Sequence, residues 1–373
     1  MEFDGLEEMM PFDGKIFVTD IEGPITKNDI AFELCSEFIE NGEKLYTVLS
    51  QYDDLLANVF KKDGYKSGDK IRLILPFLKA YGATDTGMVN YCRNHLQLVA
   101  GADKTMRYVQ EIMSPFMVSS SYEHYVSVVC DLVGFPFENA FCTKVSLDAV
   151  RMDIWESDTL KHLAQDIVNM PIIEVSRTAR SVRDLPQDAR RTVQRLDQMF
   201  WNEMTDMQTY QLMMDTQTIG DEEKASSVVE VCKKMGVPLE DCMYVGDSAT
   251  DARALHLVRK GGGLAISFNG SKQAVREADV AIMSTNTIVT SMLAEAFYRT
   301  GRDAVLDLVE NWSVEGLRSS GLVHEYLQRE LLRVYPGELP RVRRVSPSDL
   351  NEIAEQSARF RKGLRGDAVG NLG

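Results

Sequence analysis

No stretch of the chain approaches the ~18 consecutive apolar residues that a bilayer span requires, so no membrane-spanning helix is expected. The opening MEFDGLEEMM is acidic and lacks the basic and apolar regions of a secretory leader, which gives a cytoplasmic expectation. No CxxC pair occurs among the six cysteines. Cys35, Cys92, Cys130, Cys142, Cys232 and Cys242 fall mostly within apolar patterns and read as buried thiols rather than zinc ligands or disulfides. His95, His124, His162, His256 and His324 show no metal-ligand spacing. His124 follows Ser121 closely enough to approach a pocket mouth, although a surface or packing role is the favoured reading. An excess of positive charge is also missing. A net charge of −15 opposes broad nucleic-acid binding, which relies on phosphate neutralisation. An acidic protein that handles phosphate esters needs a local cation, and that points towards a divalent metal.

What is present is a chain of 373 residues, 44% hydrophobic, enough for a full core and for roughly two domains of ~150 residues. Its most informative stretch is KIFVTDIEGPITKND, residues 15–29. Ile16, Phe17 and Val18 predict a short buried strand. The strand runs into Asp20 and Glu22, and Gly23 and Pro24 then force a tight loop. Open α/β sheets bind ligands at that carboxyl edge. A carboxylate nucleophile followed two residues later by a second carboxylate suits phosphoryl transfer through an aspartyl-phosphate; an acidic turn after an ordinary strand is the alternative.

After this loop the spacing predicts a helical module. Ile30, Leu34, Cys35, Phe38 and Ile39 share one face, and Asn41-Gly42 ends that helix. Leu45, Val48, Leu49, Tyr52, Leu55, Leu56, Val59 and Phe60 predict a second. Ile71 to Tyr81 and Met88 to Val99 predict two more. A lid over the site would be attached here. Phe116, Met117 and Val118 predict another strand, ending in Ser119, Ser120 and Ser121 and followed by a helix. A hydroxyl at a strand tip before helix-start amides makes an anion cradle; a serine N-cap is the plainer reading.

Residues 150–219 read as a second, mostly helical insertion. Its Arg177, Arg180, Arg183, Arg190, Arg191 and Arg195 form either an anion-attracting patch or a solvated helix face. Met199, Met204, Met207, Met213 and Met214 read as packing. Lys224 opens a helix, Met243 to Val245 predict a strand, and Asp247, Ser248 and Asp251 follow it. Residues 261–270 and 278–284 read as the closing strands, residues 287–335 as helices, and the glycine-containing tail from Gly363 as disordered.

Taken in order, DIEG, VSSSY, Lys224 and GDSATD resemble the four motifs of the haloacid dehalogenase-like superfamily. Within it the chain is similar to the magnesium-dependent phosphatases of the phosphoserine-phosphatase branch, whose helical cap follows the first motif. The resemblance implies an α/β fold, a Rossmann-like parallel sheet with an inserted cap. The core would comprise residues 15–27, 101–149 and 220–285, the cap 28–100, and the second helical insertion 150–219. A helical C-terminal extension, 286–362, and the tail 363–373 would complete the chain. Some positions depart from the pattern. Glu22 stands where most of these phosphatases carry Asp, as in the enolase-phosphatase members, and Pro24 replaces a threonine or serine. Ser120 and Ser121 replace glycines. Asp29 falls near the cap position that reads a substrate amine, but no arginine matches the carboxylate reader, so phosphoserine is not assigned as the substrate. A looser likeness links the chain to archaeal members labelled as accessory subunits of energy-converting hydrogenases.

The resemblance implies that Asp20 is the nucleophile and Glu22 the acid and base. Asp20, the Glu22 carbonyl and Asp247 would hold Mg²⁺. Asp251, with Ser248, would support them, Ser119 and Lys224 would hold the transferring oxygens, and Ser120 and Asp29 would contact the substrate, a small phosphate ester. A dehalogenase needs neither the second carboxylate nor the metal, and Glu22 with Asp247 and Asp251 argues against it. A carbon–phosphorus hydrolase needs a Schiff-base lysine in the cap, for which Lys61, Lys62, Lys66 and Lys70 are the candidates. A non-catalytic accessory or regulatory subunit is the alternative from another class. For that role, or for homo-oligomer formation, the second insertion and the C-terminal helices would be the docking surfaces.

Overall fold

Ile16, Phe17 and Val18 are buried on both faces of a sheet, as a continuous apolar run in a parallel strand requires. They form β1 (Ile16–Thr19), an interior strand of the sheet. The computed structural model describes residues 14–173 and 181–370. The other strands are β2 (Ser114–Tyr122), β3 (Ala140–Thr143), β4 (Cys242–Gly246), β5 (Leu264–Phe268), β6 (Val280–Met283) and β7 (Arg341–Arg344). Their order is β3-β2-β1-β4-β5-β6-β7, parallel except for β7. The pleat sends Phe17, Met243 and Val245 into one apolar cluster, which runs on into the helices after β1. Ile16, Val18 and Tyr244 enter the other, closed by Val228 and Val231 of the helix Asp221–Met235.

The segment after β1 is helical: Ile30–Phe38, Gly42–Asp54, Lys70–Leu73, Leu75–Ala80 and Asp85–His95. Two long helices expected from the spacing are broken. The second widens after Asp54 into a π turn, Leu55–Val59. The third restarts after Ile74, where Pro76 sits in the first turn of a new helix and supplies no amide proton. The segment 150–219 contributes Ile154–Asn169, Gln187–Gln198 and Gln208–Asp215 and leans on the first helical segment. The Tyr52 hydroxyl donates to Asp197 (2.5 Å) and accepts from Trp201 Nε1 (2.9 Å), and Phe200 packs against the Tyr52 and Phe77 rings. Met199, Met204, Met207 and Met213 are buried there, whereas Met214 is 38% exposed.

The C-terminal part corrects two expectations. It is not wholly helical, because β7 pairs antiparallel with β6 and closes the sheet. Its alternation is short and arginine-rich, which hides a strand from a hydrophobic reading and suits an exposed edge. The last helix, Leu350–Gly370, runs through Gly363, so the expected disorder does not begin there; residues 371–373 lie outside those described. β3 was also not anticipated, being four residues long after a 3₁₀ turn. All six cysteines are buried and unpaired. Among the described residues, no helix is long and apolar enough to cross a membrane.

Asp85 joins the first helical segment to the sheet side. It accepts from the Ser146 hydroxyl (2.5 Å) and the Leu147 amide (2.8 Å) and lies 3.0 Å from His124 Nε2. Partial burial opposes ionisation, but the Ser146, Leu147 and Asp148 donors outweigh it and hold the carboxyl below its ordinary value. Such a group stabilises the fold above its unfolded pKa and loses that contribution as pH falls through the folded one. Asp85→Asn should therefore lower Tm by a few degrees at neutral pH, with the difference shrinking as pH falls below the ordinary Asp value of about 3.9. Circular dichroism melts would show it; equal melting at neutral pH would remove Asp85 as a stabilising joint.

Candidate active site

In register, β1 places Thr19 beside Met117 of β2 and Val245 of β4. The residues leaving these three strands therefore emerge at one carboxyl edge. Asp20 extends the ladder through its amide to the Val245 carbonyl (2.9 Å). One of its carboxylate oxygens accepts from the Ile21 amide (2.7 Å), and the other meets Lys224 Nζ (2.6 Å). Lys224 lies in the first turn of the Asp221–Met235 helix, is fully buried, and also donates to Asp251 Oδ1 (2.8 Å). Gly23 brings the first loop onto Asp247: its φ is +100°, and a Cβ there would stand 2.2 Å from Asp247 Oδ2.

Asp251 is buried and saturated. Oδ1 accepts from Lys224 and from the Tyr244 hydroxyl (2.7 Å); Oδ2 accepts from the amides of Asp247 (3.0 Å) and Ser248 (2.9 Å) and from the Ser248 hydroxyl (3.0 Å). With every acceptor engaged, it positions Lys224 and the Asp247 loop. Burial pushes Asp251 up, but Lys224 and the other donors hold it below the ordinary carboxylate value. Burial likewise works against the Lys224 ammonium, yet Asp20 and Asp251 keep it above its ordinary value. Asp20 is pushed up to about 8, chiefly by burial and then by the Asp251 and Asp247 charges, against the pull of Lys224.

The carboxylates of Asp20, Asp247 and Asp251 each offer an oxygen within 4.8 Å of the others. Hard oxygen donors so close together fit Mg²⁺, and since Asp251 is saturated, Asp20 and Asp247 are the side chains that could hold it. Ser119 is buried; its oxygen accepts from the Ser121 amide (3.2 Å), which leaves the hydroxyl proton for a ligand. Ser120 Oγ is buried without a hydrogen-bond partner. Both serines line a cavity of about 290 Å³ with Asp20, Glu22, Asp29 and Asp247 below and Tyr46, Asp54, Asn58 and Lys70 above. Glu22 accepts from the Ile30 amide (2.8 Å), which ties the loop to the first helix beyond it. Asp29 caps that helix through the Phe32 amide (3.1 Å).

Other sequence candidates lie elsewhere. Lys66 is engaged with the Thr218 carbonyl (2.7 Å) and Glu223 (2.6 Å), and Lys62 lies over the Trp201 ring; of the four lysines considered, Lys70 reaches the cavity. Arg177 and Arg180 lie outside the described residues. Arg183, Arg190, Arg191 and Arg195 do not line the cavity, and Arg195 is paired with Asp166 and Glu203 as on a solvated face. A larger cavity, about 940 Å³, lies by β7; its Arg302 and Arg343 are paired with Asp279 and Asp349, and no strand-end motif opens into it. The sequence reading missed Tyr244 and Arg361, and it placed Gly23 in a tight loop without its approach to Asp247. Arg361 lies 3% exposed in the last helix, ion-paired with Asp247. Its one signal is helical spacing, four residues beyond Ser357 and eight beyond Ile353.

Gly23→Ala should displace the Asp247 carboxylate, because the added carbon meets it and the backbone is left-handed there. A loss of at least about 2 kcal/mol of stability is expected, read by denaturant unfolding; an unchanged midpoint would mean that the loop yields freely.

No protein-family model matches the chain, and no curated protein matches it significantly. Among solved structures it is similar to a gene product of Archaeoglobus fulgidus, with 25% identity and a TM-score of 0.74 over 96% of this chain and 99% of that one. Fainter likenesses are to a phosphoserine phosphatase in a phospho-aspartyl intermediate analogue form (15% identity, TM-score 0.45, 73% of this chain and 95% of that one) and to a HAD family hydrolase of Salmonella enterica serovar Typhi (12%, TM-score 0.39, 68% and 61%). With a mostly parallel sheet whose β1, β2 and β4 ends bring Asp20, Ser119 and Asp247 to one edge, and with helices inserted after β1, the chain has a Rossmann-like α/β fold arranged as its resemblance to the haloacid dehalogenase-like superfamily implies.

Proposed function

We propose that the protein is a Mg²⁺-dependent phosphohydrolase that cleaves a small phosphorylated metabolite through an aspartyl-phosphate. The observation that carries this reading is the buried Lys224 ammonium bridging Asp20 and Asp251 beside Asp247. Asp20 attacks phosphorus in line, forming the Asp20–phosphorus bond as the ester oxygen leaves, and Glu22 gives that oxygen a proton. Water then attacks the phosphoaspartate, Glu22 takes its proton, and the Asp20–phosphorus bond breaks to release inorganic phosphate. Ser119 and Lys224 donate to the phosphoryl oxygens as charge builds on them. Bound at Asp20 and Asp247, Mg²⁺ supplies the positive charge that favours ionised Asp20 and neutralises the phosphate.

The Asp247–Arg361 pair favours one other reading, an accessory subunit with a closed site. It requires stable co-purification with a partner and no hydrolysis across a phosphate-ester panel.

Asp20→Asn should abolish p-nitrophenyl phosphate hydrolysis measured with Mg²⁺ present; activity surviving in that variant would refute the nucleophile. Glu22→Gln should cut kcat by about 10²- to 10⁴-fold while KM changes little. Steady-state kinetics would check this, and an unchanged kcat would remove its proton-transfer role.

A further inference from the structure

The last helix returns to the catalytic edge from the far end of the chain. Its Ile353 and Ala354 pack with Val275, Ala281 and Val345 in a small cluster separate from the two main cores. One turn on, the Ser357 hydroxyl donates to the Gly270 carbonyl (2.8 Å). A turn further, the same face delivers Arg361. Its Nη1 donates to the Asp247 carbonyl (2.8 Å) and pairs with Asp247 Oδ2. Arg361 and Asp247 are 3% and 2% exposed, so water screens little of their charge.

A buried carboxylate needs a cation. Asp247 has one that the chain itself carries, at the carboxylate read above as a metal ligand. A guanidinium beside a divalent ion in a dry site repels it, and both draw on the same negative charge. We propose that Arg361 is a tethered counter-ion that competes with the divalent cation for Asp247, which makes the C-terminal helix a gate on metal entry. This rests on the proposed role of Asp247. The helix docks through Ile353, Ala354, the Ser357 bond and the Lys272–Glu355 pair and not through either main core, so those contacts govern its local opening. The coupling is reciprocal: whatever weakening Arg361 imposes on the metal, the metal imposes on the docked helix.

Titration calorimetry with MgCl₂ on the full-length protein, Arg361→Gln, Arg361→Lys and Ile353→Ala tests the gate. Hydrogen exchange of residues 350–364 with and without Mg²⁺ provides a second readout. Arg361→Gln should bind Mg²⁺ at least about tenfold more tightly. Arg361→Lys should stay near the parent, and Ile353→Ala, which loosens the helix without touching the site, should lie between. Mg²⁺ should speed exchange in this segment of the parent. Unchanged or weaker binding by Arg361→Gln, or protection of the segment by Mg²⁺, would overturn the gate. If the parent hydrolyses p-nitrophenyl phosphate with Mg²⁺ while Arg361→Gln binds the ion no more tightly, the gate falls and the phosphohydrolase stands. If none of the proteins binds Mg²⁺ or hydrolyses the ester, both fall.

Discussion

The Lys224 ammonium, fully buried, stands 2.6 Å from Asp20 and 2.8 Å from Asp251, and so ties the end of β1 to the loop after β4 through a helix that belongs to neither. Desolvating an ion costs several kcal/mol, and only close, well-oriented partners offset it. Each member of the trio is therefore needed by the other two, and the loops carrying them cannot drift independently. Tyr244 and the Asp247 and Ser248 amides complete the shell of Asp251. Lys224 pairs with Asp20 and Asp251, and Arg361 with Asp247, while Glu22, Asp29 and Asp54 add further carboxylates to the cavity lining. That leaves an excess of negative charge at the cavity floor, which favours a cation there.

Specificity in such a site would come from above the sheet. The roof of the cavity is built from the helices after β1, and the 150–219 segment braces those helices through Tyr52, Trp201 and Phe200. Lys66 reaches across to the Thr218 carbonyl, adding a polar tie near the mouth. A roof fastened at several points keeps its side chains in fixed positions over the cavity, and such preorganisation is what a small cavity needs to discriminate ligands.

Much of the site was legible because its chemistry is local. Asp20 and Glu22 after a buried run, Ser119 at a strand tip, and Asp247 and Asp251 after β4 each announce themselves within a few residues. Apolar runs likewise marked β1, β4, β5 and β6. The arginine-rich β7 and the short β3 carry no such pattern, since an edge strand has one side free of the ladder and need not be apolar. The break at Ile74 had a local cause in Pro76, while the π turn after Asp54 lies within an unbroken helical pattern.

Residue order alone determined the strand-end carboxylates, the lysine and the place of the helical insertion, because strand, turn and helix signals act over distances the chain spans in a few residues. Tertiary structure decided which charges meet. Arg361 lies 114 positions from Asp247 yet donates to its carbonyl, and Lys224 lies 204 positions from Asp20 yet touches it. Ionic contact depends on where the sheet register and the helix docking bring two side chains, and both are set by packing among elements remote in sequence. The same packing fixed Asp251 as a support for Lys224, since only in the folded chain do five donors converge on its two oxygens.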